Sequence, residues 1–422
     1  MKRLDAATLR MADFVRAGDT VMWGQVCGEP QTLTEALVAQ RAEIGRFSLF
    51  LGSGFSRTLK PEHADLIQIR AVGAVGTHRK LAQAGVLEVV PIHVSQIERA
   101  IRSGTIACDV ALVQVSPANE RGEHSLGLIG DYIRAMVEKA RIVIAEINTQ
   151  VPWVLCQAPL TADDIDYAIE TDRPLIEVPP AEITPLDSSI AGFVEPFIPE
   201  RATLQMGIGG VPEAVMKLLV GRRGLGIHSG MIGESVVDLI ESGSVTNEHK
   251  EIDRGVTVTG ALLGTRRLYR FCDRNAAVRL VPISHTHDTA ALAKLSRFIS
   301  MNSALEVDIT GQVNAEAIGS DYVGAVGGQV DYVRAANNSE GGRSIIALRA
   351  TAQEGRTSRV VGALSGPVTT ARADVDVVVT EHGSAELRGK SLRERIVAMV
   401  AIADPRFRED LEREAHRFVK TV

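Results

Sequence analysis

The segment Gln205-Met206-Gly207-Ile208-Gly209-Gly210-Val211-Pro212 carries glycine at 207, 209 and 210, where an apolar run gives way to one of helical spacing. A turn without Cβ atoms lets backbone N–H groups close on an anion, or on the oxyanion that develops when a carbonyl is attacked. A dinucleotide-binding fingerprint is not completed, because Pro212 stands where the third glycine of GxGxxG belongs. The same turn can also be no more than a strand-to-helix connection. A second cluster runs Gly324-Ala325-Val326-Gly327-Gly328-Gln329, and a further Gly-Gly pair precedes Arg343 and the apolar run Ile345–Leu348. Glycine at that density marks a close backbone approach, with a flexible surface loop as the plainer alternative. His285 and His287 flank Thr286. On a strand both would share a face, but with no third ligand identifiable no metal is expected. No GxSxG elbow occurs, which removes a serine hydrolase of that kind.

These segments need a scaffold, and the rest of the chain supplies its rhythm. The runs FSLFLGSG, LIQIRAV, LEVVPIHV, VALVQVSP, RIVIAEIN and PLIEVPP read as six buried strands. LTEALVAQRAEIG and SQIERAIRSG have helical apolar spacing between them. That alternation is the β-α-β pattern of an open parallel sheet. A proline-rich stretch from Val178 to Pro199 reads as a linker between two α/β domains, 1–185 and 200–422. The pattern then restarts: ATLQMGIGG is a strand entering the glycine turn, VPEAVMKLLVG a helix, and GLGIHSG the next strand. Both halves run Gly, Pro, a Glu-Ala-aliphatic helix, then an apolar strand ending in Ser-Gly, at Ser53-Gly54 and Ser229-Gly230. Two similar domains in tandem, or chance likeness between two βαβ units, would each account for it.

A length of 422 residues suits two domains, and 45% apolar with 23% charged residues is ordinary for a soluble globular chain. Few aromatics (4%) and 38 glycines favour α/β over an all-β sandwich. A formal charge of −6 argues against a general nucleic-acid surface. Cysteines 27, 108, 156 and 272 form no CxxC pair, so free thiols in a reducing cytoplasm are expected. The N-terminus lacks an apolar signal core, and no run is long and apolar enough for a membrane span.

Several ordered segments carry a family resemblance: Gln205–Pro212, Gly224–Leu239, Ser303–Asn314, Gly327–Arg334, Gly341–Leu348, Val368–Arg395 and, in the first half, Val115–Gly127. Together they resemble the acetyl-CoA hydrolase/transferase branch of the family I coenzyme A transferases, which includes the 4-hydroxybutyrate CoA-transferases. The resemblance implies two open α/β domains with the active site in the cleft between them, and a homodimer. It implies acyl-CoA and a small carboxylate as substrates, with no permanently bound cofactor. In that family a glutamate attacks the acyl-CoA carbonyl and passes CoA on through a glutamyl-CoA thioester. That chemistry needs a carboxylate nucleophile and oxyanion donors about 3 Å from the carbonyl oxygen. By the resemblance the donors come from the turn around Ile208, with Gln205, Gly207, Gly209 and Gly210, and from Gly327-Gly328. Coenzyme A lies near Gly327, Gly328, Gln329 and Arg343.

The pattern breaks at the nucleophile. The family reads His-(Ser/Thr)-Glu-Met-Ile, and this chain reads His228-Ser229-Gly230-Met231-Ile232. Glycine cannot form the anhydride. Glu234 could reach in from one helical turn later, although it aligns with an ordinary acidic position of the motif and a structural role fits it better. Alternatively, water or a bound carboxylate occupies the space left by the glutamate and attacks the thioester directly, with His228 orienting it. A catalytically silent CoA-binding protein is a third reading.

Overall fold

The computed structural model describes residues 1–419 and contains two eight-stranded sheets. The first is built from β1 (Lys2–Arg3), β2 (Thr20–Trp23), β3 (Phe47–Leu51), β4 (Ile67–Ala71), β5 (Leu87–Val89), β6 (Val110–Val115), β7 (Ile142–Asn148) and β8 (Tyr167–Thr171). Its order is β1-β8-β7-β6-β2-β3-β4-β5, parallel throughout. The second is built from β9 (Thr203–Met206), β10 (Gly226–Ile232), β11 (Thr257–Leu262), β12 (Val278–Leu280), β13 (Phe298–Ser303), β14 (Arg343–Ala347), β15 (Val377–Thr380) and β16 (Gly383–Glu386). Its order is β12-β11-β10-β9-β13-β14-β15-β16, with only the β15–β16 pair antiparallel. Apart from the edge strands β1 and β16, the chain in both sheets starts at a central strand (β2 or β9), adds three outward on one side, then returns to add three on the other. The likeness between the halves therefore extends to their winding, and β3, which leads into Ser53-Gly54, and β10, which contains Ser229-Gly230, hold the same place in it.

Strand character follows burial. All six residues of β6, VALVQV, are buried, as befits a parallel strand covered on both faces. In β4, nearer an edge, Ile67, Ile69 and Ala71 are buried while Gln68 and Arg70 are exposed.

Three expectations need correction. PLIEVPP is not a strand: Pro174, Pro179 and Pro180 withhold ladder donors, and the segment runs as extended cover along the second half. The linker is not structureless, since Pro185–Val194 forms a helix capped by Thr184, whose hydroxyl and Asp187 make a reciprocal capping box. Its residues Ile190, Ala191 and Val194 are fully buried in the core of the second sheet. The His-Thr-His segment is helical (Ile283–Thr286), so its two imidazoles diverge instead of sharing a face. β2 and β8, short and weakly patterned, escaped the sequence reading.

The two halves are joined backbone to backbone. Ala74 N–H donates to the Gly324 carbonyl at 2.8 Å, Gly130 N–H to Gly260 at 2.8 Å, and Leu262 N–H to Leu128 at 2.9 Å. A Cβ on Gly73 would lie 2.4 Å from the Ala325 Cβ, so part of the second glycine cluster exists to let the halves touch. Cys27, Cys108 and Cys272 are buried, Cys156 is partly so, and all are free thiols. Among the described residues no helix is long and apolar enough to cross a membrane.

Candidate functional site

The C-terminal ends of β9 and β10 lie side by side, because Gly226 and Ile227 pair with Thr203 and Leu204. Open α/β sheets gather their ligands at this edge. β9 ends at Met206, and Gly207–Gly209 turn the chain into the helix Gly210–Leu218. Gly209 takes φ +122°, which an L side chain rarely adopts. Gly207, Gly209 and Gly210 are half-buried, and Ile208 is 47% exposed. The first N–H groups of that helix have no intrahelical acceptor and point out of its N-terminus. Gln205 lies below this edge: its side chain is buried and pairs with Asn302 at 3.1 Å, so it supports the turn from beneath.

Gly230 sits near the end of β10 and is half-buried. The space beside its Cα is not vacant. A Cβ built there would lie 2.6 Å from His287 Cε1, 3.0 Å from His287 Nε2 and 2.9 Å from the Tyr332 hydroxyl. Gly328, the N-cap of the helix Gln329–Asn338, meets the same ring: its Cβ would lie 2.4 Å from His287 Nε2. The imidazole is thus wedged between the two glycines at the positions expected for the nucleophile and for an oxyanion donor. His287 Nδ1 is 2.8 Å from Thr286 Oγ1, and its ring centroid is 4.6 Å from that of Tyr332. Burial pushes the His287 pKa down to about 3, which keeps the ring neutral. The Tyr332 hydroxyl is buried without a hydrogen-bond partner among the described residues.

Asp131 closes this cluster from the first half. Its carboxylate accepts from the Gln25 amide, and one oxygen lies 2.5 Å from the place of a Cβ on Gly260, the strand neighbour whose Cβ would also be 3.0 Å from the Gly230 carbonyl. Burial raises the Asp131 pKa to about 7, with Gln25 pulling the other way. His228 does not join the cluster. It is fully buried, its Nε2 is 3.4 Å from the His285 carbonyl, and burial, with Lys250 nearby, lowers its pKa to about 3. His285 turns to Asp253 at 2.7 Å, and Lys250 donates to the Ile227 and Val256 carbonyls. These groups brace the start of β10 from below.

Behind β10, on the face of Ile227, Ser229 and Met231, lies a mainly apolar cavity of about 350 Å³. The glycine turn forms part of its wall, Phe55 and Val178–Ala181 cover it, and Glu213 and Glu234 mark its polar end. Burial raises the pKa of Glu213, whose carboxylate accepts from Ser235. Glu234, the candidate replacement nucleophile, opens the helix Glu234–Glu241. One of its oxygens accepts from both Thr265 N–H (2.7 Å) and Thr265 Oγ1–H (2.6 Å). That commitment makes it a tie between β10 and the loop after β11.

The remaining positions divide. Gly327 and Gly328 are half-buried, but Gln329 turns inward to Thr370 at 3.0 Å. Arg343 opens β14 at the opposite end of the sheet from the glycine turn. Its guanidinium is held by Asp376 (2.9 Å) and Glu386 (2.6 Å), and so does not join the site. Asp131, Gln25, Tyr332 and the cavity residue Phe55 were not singled out from sequence. They come from distant stretches, and no spacing pattern links them. His287 was noticed only as half of a metal pattern.

A family model for the acetyl-CoA hydrolase/transferase N-terminal domain matches residues 5–179, and the corresponding C-terminal domain model matches residues 264–415. The chain is 35% identical over 398 residues to the 4-hydroxybutyrate coenzyme A transferase of Clostridium kluyveri, covering 93% of each protein. Among solved structures it superposes on RipA from Yersinia pestis with a TM-score of 0.93 at 31% identity, covering 99% of this chain and 97% of that one. The 4-hydroxybutyrate CoA-transferase of Porphyromonas gingivalis gives 0.84 at 31% identity, with the same coverage.

Proposed function

The chain belongs to the acetyl-CoA hydrolase/transferase family of coenzyme A transferases, and from that premise we propose that it transfers CoA between an acyl-CoA and a small carboxylate, in the cleft between its two α/β units, 1–185 and 200–422. The observation that carries this reading is the glycine turn Gly207–Gly210 beside an apolar cavity of about 350 Å³. An acyl chain directed into that cavity leaves its thioester carbonyl over the C-terminal ends of β9 and β10, beside the backbone N–H groups of the turn and with Gly230 on the other face of the strand end. The cavity's lining of Met206, Met216, Met231, Val236 and Phe55 suits an apolar acyl group. The family's glutamate position is, in this reading, occupied by Gly230.

A second reading, acyl-CoA hydrolysis, is favoured by the same residue: glycine at 230 offers no carboxylate nucleophile, and one oxygen of Glu234 is tied to Thr265. Incubating the protein with a panel of acyl-CoAs, with and without short carboxylates, and following the small molecules by mass spectrometry separates the readings. Transfer gives a new acyl-CoA only when its matching carboxylate is present; hydrolysis gives free CoA regardless. A panel left intact overturns both. The family resemblance also implies a cytoplasmic homodimer, and light scattering of the purified protein checks the assembly.

A further inference from the structure

We infer that His287 stands in for the missing carboxylate: its imidazole presents Nε2–H between Gly230 and Gly328 to the carbonyl oxygen of a bound thioester, and no covalent enzyme intermediate forms. The inference rests on the acyl-CoA reading above. Its basis is steric first. One ring lies against the place of a Cβ at both glycines, with the Tyr332 hydroxyl beside it at Gly230, and both glycines are half-buried, so the ring edge lies where a glutamate at 230 would project. Glycine at both positions leaves the ring room where it stands, since a Cβ at either would come within 2.6 Å of it and force it to shift.

The chemistry follows from the ring's other nitrogen. Nδ1 is 2.8 Å from the Thr286 hydroxyl, which can donate to it and so fix the tautomer with hydrogen on Nε2. Burial keeps the imidazole neutral. A neutral, fixed N–H donor in a partly desolvated site is suited to stabilising charge that develops on a carbonyl oxygen.

The step balances without an enzyme nucleophile. An oxygen of water or of the acceptor carboxylate adds to the thioester carbonyl carbon. The carbonyl π pair moves onto oxygen, and that oxyanion accepts from Nε2–H. As the carbonyl re-forms, the C–S bond breaks and CoA leaves as the thiolate. With water, the proton released by the nucleophile passes to the thiolate, giving a carboxylic acid and free CoA. With a carboxylate, the first products are a mixed anhydride and CoA thiolate. The thiolate then attacks the acceptor carbonyl, giving the new thioester and releasing the donor acid as its carboxylate.

The test pairs kinetics with mass. Acyl-CoA cleavage is measured for the wild type, His287→Ala and His287→Gln, with and without acetate, and folding is checked by thermal melting. Loss of one oxyanion donor costs about 100-fold or more in kcat. His287→Ala should show that loss with the KM for acyl-CoA changed little, while His287→Gln, which keeps a neutral N–H donor, should recover much of the rate. In the second arm, intact protein mass is read after acyl-CoA exposure for Gly230→Glu alone and combined with His287→Ala. The double variant should carry a glutamyl-CoA adduct, because removing the ring gives the new carboxylate room; the single variant should not. His287→Ala turning over at close to the wild-type rate, or Gly230→Glu forming the adduct as readily as the double variant, overturns the inference. Wild type that leaves every acyl-CoA intact sinks the acyl-CoA reading itself, and the adduct arm then decides the place of His287 alone.

Discussion

The same glycine–imidazole contact is built twice. In the first half Ser53-Gly54 follows β3, and a Cβ on Gly54 would lie 2.3 Å from His78 Nε2. In the second half Ser229-Gly230 lies within the corresponding strand, near its end, and the Cβ position meets His287. Both rings are buried and both are pushed toward neutrality, His78 to about 4 and His287 to about 3. What differs is the surroundings. Around Gly54 the sheet carries on: Val26 and Gly76 bridge it on either side, and its carbonyl accepts from Thr77 at 2.8 Å. Gly54 is buried, so His78 only packs. Gly230 is half-buried, and Gly328 meets the same ring from another element. The corresponding strand ends meet rings from different elements, His78 after β4 and His287 after β12, and exposure at one of them supplies the opportunity for chemistry.

The sharpest way to break this comparison is to truncate both rings. His287→Ala should lower kcat about 100-fold or more for loss of the oxyanion donor. His78→Ala should leave kcat within a few-fold of wild type and instead lower stability by about 1–3 kcal/mol, as expected for a cavity under a strand end. Steady-state kinetics beside a thermal melt reads both. Equal kinetic losses would mean that the two contacts differ only in position and that neither ring does chemistry.

pH separates the seam between the halves from the interior of one. Asp131 is held at about 7, above its ordinary 3.8. Between those values the folded protein keeps a proton that the unfolded chain releases. This contribution is therefore full below pH 3.8 and is lost as pH rises to about 7. At 1.36 kcal/mol per pKa unit the loss is about 4 kcal/mol. His78 has the opposite sign: with its pKa lowered from 6.5 to about 4, stability rises with pH through that window, and His228 and His287 act likewise. Asp131→Asn should remove the falling limb and stabilise the protein above pH 7, and melts from pH 4 to 8 check it. An unchanged profile in Asp131→Asn would mean that the seam around Asp131 admits water.

Much of the frame was legible in the sequence. FSLFL, VALVQV and RIVIAEIN read as strands because runs buried on both faces are apolar throughout, and the glycine turn could be found because Gly209 needs a backbone that other residues avoid. The Ser-Gly pairs, readable either as tandem repetition or as chance likeness, fall at corresponding strands. Short β2 and β8 were missed because their placement comes from neighbours across the sheet, not from their own pattern. PLIEVPP misled for a related reason: apolar content reports packing of any kind, and this segment is half-buried as a cover over a cavity. The site was the least legible part. That Gly230 lacks a side chain was plain, but what fills the space depends on His287, which comes 57 residues later by the numbering, and on Gly328 and Tyr332 beyond it. The His-Thr-His motif suggested a shared face until the helix separated its rings.

Arg343 marks the far edge of the comparison, where the second half has a charge network and no chemistry is expected. The resemblance puts a cation of this segment near the CoA phosphates. In the fold its guanidinium lies between Asp376 and Glu386 and 5.1 Å above the Phe197 ring, at the end of the sheet away from the glycine turn. Its side chain is 27% exposed, and Asp376 also accepts from Arg388 at 3.0 Å, so Asp376 keeps a partner when Arg343 is lost. Arg343→Ala should therefore cost about 1 kcal/mol of stability or less. The KM for acyl-CoA should stay within about twofold, since a lost charged contact to a ligand is worth more, about 1.5–3 kcal/mol or at least tenfold. Measuring KM at low and moderate salt makes the result decisive. A tenfold rise at low salt that fades as salt is added would put the CoA phosphates against Arg343, and would move the ligand's path to this end of the sheet.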